Sequence, residues 1–259
     1  MRTPTKLRLS GLLITGLAVV GFLLVQLAVA VVSYILSPDW AGGNSYILLA
    51  ISSLLTVGLV LLVLLLCRAD LRTTLLTDNV GAGDMLRLTA LGAAGNLVIA
   101  TLFALLPFPE TWLESYTEHM SPLTSAHPIV AVLSACLCAP LCEELIFRGL
   151  SCRALLRGFS APFAIGLQAV LFAAVHGEPL QMLYALPGGI LLGYVYYRTR
   201  SLPGALLTHI AFNAAGLILG HLPSNVIPLV FALAPVAALT SYVLLRGLGD
   251  SKQIGGDDG

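Results

Sequence analysis

An all-α, polytopic membrane fold is predicted by three observations. Hydrophobic residues make up 58% of the 259-residue chain and charged residues only 10%, with a mean hydropathy of +0.93. A soluble domain carries about 25% charged residues. The apolar residues gather into runs close to the ~20 residues needed to cross a ~30 Å hydrocarbon core at ~1.5 Å per residue. Between those runs, the Lys and Arg residues fall on alternate connections, as the positive-inside bias requires.

Eight runs follow in order, at 11–36, 45–67, 85–107, 128–147, 161–176, 180–197, 202–220 and 225–246. Before the first stand Arg2, Lys6 and Arg8, and within it Ala28-Val29-Ala30 resembles a cleavage site. Its apolar stretch continues to Leu36, longer than a signal h-region, so an uncleaved first helix is expected. Runs two and three are apolar, with Gln26, Asn96 and later Gln168 expected to bond between helices. The segment after run three carries Glu110, Glu114 and Glu118 and no Lys or Arg. Runs five and six are the shortest, and Gly188-Gly189 with Gly193 gives the sixth a small-residue packing face. Residues 1–247 are expected to form one membrane domain, and the Gly-rich polar tail 248–259 to be disordered.

Arg68, Arg72 and Arg87, then Arg148, Arg153 and Arg157, then Arg198, Arg200 and Arg246 fall on one side with the basic N-terminal segment. Eight spans with both termini cytoplasmic satisfy this bias. The basic start and short loops suggest a prokaryotic plasma membrane. Net charge is zero and no basic block points to nucleic acid. Five cysteines, an odd number lying in or beside the runs, are not a disulfide framework. Cys136, Cys138 and Cys142, at i, i+2 and i+6, share no helix face and argue against a thiolate metal site.

The fourth run is unusual because it keeps Glu143, Glu144 and Arg148 in apolar surroundings. A carboxylate at the centre of a membrane helix costs roughly 2.5–3.5 kcal/mol on insertion scales, so such groups are retained for pairing or function. Neighbours on a helix point ~100° apart, whereas i and i+4 share a face. Glu144 is therefore expected to pair with Arg148, leaving Glu143 to point elsewhere as a general base or acid. If the fourth helix continues to Arg157, Glu143 and His176 lie at similar depth, ~21 and ~24 Å from the intervening turn. His209 lies about two turns shallower by the same count, with Asn213 on its face at i+4. Phe172, four residues before His176, is placed to pack on that imidazole. The set offers a water activated by Glu143 with His176 and an oxyanion site from His209 with Asn213, hence hydrolysis of an amide within the membrane.

Glu143-Glu144-x-x-x-Arg148-Gly149, Phe172-x-x-x-His176 and His209-x-x-x-Asn213 resemble, in order and spacing, the three-motif signature of the CAAX-protease and bacteriocin-processing (CPBP, or Abi) family. The resemblance covers about residues 128–220. It implies an eight-helix intramembrane protease fold that acts on a membrane-anchored peptide or protein. Glu143, His176, His209 and Asn213 would be catalytic, and Glu144, Arg148 and Phe172 supporting. It favours a metal-free glutamate mechanism over a metalloprotease one. The chain has no His-Glu-x-x-His pair, although Glu143, His176 and His209 would supply three ligands to zinc. The prenylated CAAX substrate is not carried over. Two other readings of the same residues are a non-catalytic scaffold or immunity protein and a proton-coupled transporter.

Overall fold

A computed structural model describes residues 3–75 and 80–248. The long helices are α1 (Pro4–Leu36), α2 (Ser45–Leu66), α3 (Ala82–Ala104), α4 (Glu110–Ser125) and α5 (Pro128–Leu156). They continue with α6 (Ala161–Ala174), α7 (Pro179–Thr199), α8 (Leu202–His221) and α9 (Ile227–Arg246). No strand occurs among the described residues, and the chain is an all-α integral membrane protein.

Each of the eight predicted runs contains one of these helices. By length and composition, however, six are membrane spans: α1, α2, α3, α5, α8 and α9. The 14 residues of α6 extend ~21 Å, short of a ~30 Å core. Helix α7 is long enough, but Gln181, four tyrosines and Arg198 dilute its apolar character. The predicted count of eight is therefore not reached on these criteria. The acidic segment before α5 is itself a helix, α4, which carries Pro122 within it. Of the predicted tail only Leu248 is described: it is buried against Leu88, Leu91 and Val195, and residues 249–259 lie outside the described part.

Helix α5 is the centre of the bundle. Half of its most apolar window is buried, against 17% for α1 and α2 and none for α9. It packs against α1, α2, α6 and α8, while α3 packs along α8 and α9 and α6 lies along α7. Leu17, Leu66, Leu239 and Val243 on the outer helices are exposed, as suits a face that meets lipid rather than protein.

Two stretches of α5, Val132–Cys138 and Glu144–Cys152, are wound as π-helix. Pro140 explains the first. Ala139 already donates five residues back, to the Ser134 carbonyl. In that register Pro140 would serve Ala135, but it has no N–H, so the Ala135 carbonyl is left for another donor. The helix nevertheless continues unbroken to Leu156, as the depth comparison of Glu143 with His176 requires. The wider π turns between Glu143 and the α5–α6 connection shorten the path counted along the chain. His209 comes within 3.6 Å of Glu143, so the two-turn mismatch predicted from residue counts does not keep them apart.

The charged ends are sorted as the Lys/Arg pattern suggests. Arg8 Nε donates to the Gly158 carbonyl at 3.0 Å, and Arg198 donates to the Leu248 carbonyl. The start of α1, the α5–α6 turn and the ends of α7 and α9 thus share one end of the bundle. The connections at the opposite end carry Asp39, Glu110, Glu114, Glu118 and Glu178 and no Lys or Arg.

Candidate active site

Glu144 and Arg148 are both fully buried and meet through Nη1 and Oε1 at 2.7 Å. The same Oε1 receives Nδ1 of His209 from α8 at 2.7 Å. Arg148 also donates from Nη2 to the Gly189 carbonyl of α7 at 3.3 Å, and its guanidinium stacks 4.6 Å from the Phe172 ring. Gln168 of α6 donates to the same Gly189 carbonyl at 2.9 Å. One ion pair therefore ties together α5, α6, α7 and α8. In low dielectric an ion pair leans on the partners its other polar atoms find; here Glu144 Oε2 and Arg148 Nε remain buried without one.

Gly189 is what allows α6 this close. A Cβ there would stand 3.0 Å from the Phe172 ring and 3.2 Å from Ala169. The predicted small-residue face of α7 is thus a packing face, and it also brings a backbone carbonyl within reach of Arg148.

Glu143 is placed differently. Its side chain is 15% exposed, against 1% for Glu144, and it lines a cavity of about 1040 Å³. The nearest polar partner given by the geometry is Nε2 of His209, 3.6 Å from Oε2 and beyond hydrogen-bond range. His176, His209, Phe172 and Asn213 line the same cavity. The sequence-predicted set is therefore assembled around one space, with Glu144 and Arg148 behind its wall.

Each remaining side chain is oriented by a backbone defect. Helix α6 ends at Ala174, so His176 sits in the turn beyond it rather than on a helix face. The Phe172 carbonyl, one of the last four of that helix, has no intrahelical donor. It accepts from Nδ1 of His176 at 2.8 Å, which fixes the hydrogen on Nδ1 and leaves the Nε2 lone pair free. The Phe172 ring lies edge-to-face with both imidazoles, at 5.0 Å from His176 and 5.8 Å from His209. Asn213 Nδ2 donates at 2.8 Å to the Ala135 carbonyl, the acceptor that Pro140 leaves open. Its other amide hydrogen remains uncommitted.

His209, expected to help hold the oxyanion, turns its Nε2 towards Glu143. Because Nδ1 carries the hydrogen that faces Glu144, a neutral ring has none on Nε2. Only a doubly protonated His209 donates towards Glu143 and the cavity.

Sequence reasoning passed over several residues on the cavity wall. His119 and His221 both line it, and so does Asn96 of α3, expected only to bond between helices and buried at 1% exposure. Gln26 and Gln168 do bond between helices, to Ser52 and Gly189. Glu178 had no motif to mark it. It caps α7, with Oε2 accepting from the Gln181 N–H at 2.7 Å, and is only 6% exposed. Beside it, Tyr116 of α4 has its phenol pushed up from the usual value, first by burial and then by the charge of Glu178.

Among the described residues, no three His, Cys, Asp or Glu side chains converge at the spacing of a metal site. Glu143, His176 and His209 do not form a ready-made zinc cluster in this arrangement, and Cys136, Cys138 and Cys142 are free thiols.

Residues 125–215 match the family model described as type II CAAX prenyl endopeptidase Rce1-like. That segment contains all three motifs, and the match is consistent with a CPBP family intramembrane protease. It supports an intramembrane endopeptidase in general terms. No curated protein and no solved structure matches the chain significantly.

Proposed function

We propose that the chain hydrolyses a peptide bond of a membrane-associated protein or peptide, using water activated by Glu143 with His176. The observation that carries this reading is the division of labour between adjacent carboxylates: Glu144 is bonded to Arg148 and His209, whereas Glu143 faces the cavity without a hydrogen-bond partner within the chain. In the reaction, Glu143 takes a proton from water as its oxygen attacks the carbonyl carbon. The free Nε2 of His176 orients that water and shares the proton. The developing oxyanion meets the uncommitted amide hydrogen of Asn213 and Nε2–H of a doubly protonated His209, whose other nitrogen rests on Glu144. Collapse of the tetrahedral intermediate breaks the C–N bond, and the proton held by Glu143 passes to the leaving amine. Glu144, Arg148 and Phe172 act by positioning.

Purified protein in vesicles, incubated with membrane-anchored peptides, tests this. Cleavage by wild type, lost in Glu143→Gln and indifferent to a strong zinc chelator, is the expected result. Chelator-sensitive cleavage restored by zinc would instead recast Glu143, His176 and His209 as ligands.

The Lys/Arg pattern supports both termini on the cytoplasmic side of a prokaryotic plasma membrane. Cys67 is exposed beside Arg68 at the basic end. An impermeant thiol reagent should leave it unlabelled in intact cells and label it once they are opened.

A further inference from the structure

We propose that Glu178 and Gln181 form a subsite that holds a Lys or Arg side chain of the substrate close to the bond cleaved. The inference rests on the peptidase reading above and adds a substrate class to it. Glu178 uses Oε2 to cap α7, but Oε1 has no hydrogen-bond partner within the chain although the residue is 94% buried by its 6% exposure. Gln181, one turn on, lines the cavity, and its Oε1 is likewise buried without a partner. Buried polar atoms are costly to leave unpaired, and two orphaned acceptors three residues apart at one helix start are seldom retained. Both are acceptors and one is a carboxylate, so the group that completes them is a donor carrying positive charge. An ammonium or guanidinium satisfies that description, and an acidic side chain is repelled.

Position and long-range charge agree with this assignment. The Glu178 N–H bonds the His176 carbonyl at 2.9 Å, so the subsite adjoins the water-orienting His176 in the same turn. Gly177 between them has φ +75°, a conformation that L side chains rarely adopt, and it turns the chain so that α7 starts against the cavity. The cavity extends to the acidic end of the bundle, reaching Glu118 and His119 of α4 and His221 at the end of α8. No Lys or Arg lies among its lining residues. A basic peptide is therefore drawn to that end, while the basic end repels it.

The test uses membrane-anchored peptides that differ only beside the scissile bond, with Lys or Arg against Gln or norleucine, in vesicles of zwitterionic lipid. Binding is measured on Glu143→Gln, which needs no turnover, and kcat/KM on wild type. A preference of about tenfold or more for the basic peptides is expected in both, the scale of one charge-assisted hydrogen bond. Glu178→Gln keeps an acceptor for the α7 cap, and in that background the ratio should fall to about one. Comparing two peptides on one protein cancels any loss of folded material. A neutral peptide bound as tightly as its Lys counterpart, or a preference that survives Glu178→Gln, overturns the subsite. Cleavage without preference removes the subsite and leaves the peptidase; selective binding without cleavage by wild type does the reverse.

Discussion

Glu143 and Glu144 are adjacent in sequence, identical in chemistry and opposite in circumstance. Glu144 points into the bundle, where Arg148 and His209 meet one of its oxygens, and is 1% exposed. Glu143 points into the cavity, is 15% exposed, and comes no nearer than 3.6 Å to His209 Nε2, beyond hydrogen-bond range. A helix turns ~100° per residue, and that rotation alone separates a group spent on holding four helices together from a group left available for chemistry. Acidity in a membrane helix is thus not a functional signal by itself; what the neighbouring turn supplies decides the role.

The sharpest way to break this contrast is to remove each charge in turn. Glu143→Gln should lower kcat/KM by about 10²–10⁴, the range of a general acid–base group, with thermal stability unchanged. Glu144→Gln should instead lower the melting temperature and the yield, because Arg148 is left with an uncompensated charge. Activity lost without any loss of stability in Glu144→Gln would erase the distinction. From the other partner, Arg148→Ala leaves Glu144 buried and charged at 0–1% exposure. The cost of breaking such a pair is about 3–5 kcal/mol, so abundance in the membrane should fall steeply. Normal abundance with abolished cleavage would place Arg148 in the chemistry.

Much of this arrangement was legible in the sequence, and the reason is spacing. The i to i+4 relation of Glu144 to Arg148 survives in the structure because local helical geometry nearly determines it, and Phe172 meets His176 through the turn that closes α6. What was not legible depends on how the helices pack. Counting residues from the turns set His209 two turns away from Glu143, yet the packed helices bring the two within 3.6 Å. The Glu144 partner of His209 Nδ1 was equally out of reach of spacing, since it lies 65 residues away on another helix. Glu178 was invisible for a similar reason: a helix cap shows itself in sequence, but the burial of its second oxygen is set by the tertiary packing around it. The count of eight spans is not reached by length and composition because α6 is short and α7 is diluted by polar residues, two helices that pack along each other.

The Gly189 contact tests how tightly the structural half of the comparison is built. Gly189→Ala places a methyl group 3.0 Å from the Phe172 ring and 3.2 Å from the Ala169 backbone. Both α6 and the ring must move, an overpacking cost of about 1–3 kcal/mol. The guanidinium stacked on Phe172 and bonded to the Gly189 carbonyl should loosen with them. A measurable fall in melting temperature, with kcat/KM reduced less than in Glu143→Gln, is the expected pattern. An alanine tolerated without cost would mean that α6 and α7 are not held at the separation the ion pair depends on.

Pro140 offers the finest probe, because it acts on the catalytic half through the backbone alone. Its missing N–H leaves the Ala135 carbonyl to Asn213, which bonds it at 2.8 Å. Pro140→Ala supplies a backbone donor that competes for that carbonyl and lets α5 relax towards regular winding. Stability should hold or rise, since a proline inside a helix is itself unfavourable. Asn213 loses part of its anchor, and a single neutral hydrogen bond is worth about 1 kcal/mol net, so kcat/KM should fall by several-fold. The opposite signs are the point of the experiment: a variant that is no less stable yet slower isolates the orientation of Asn213 from the integrity of the fold. Equal activity in a stabilised Pro140→Ala protein would show that Asn213 reaches its place without the open carbonyl, and the proline would then be a feature of α5 rather than of the site.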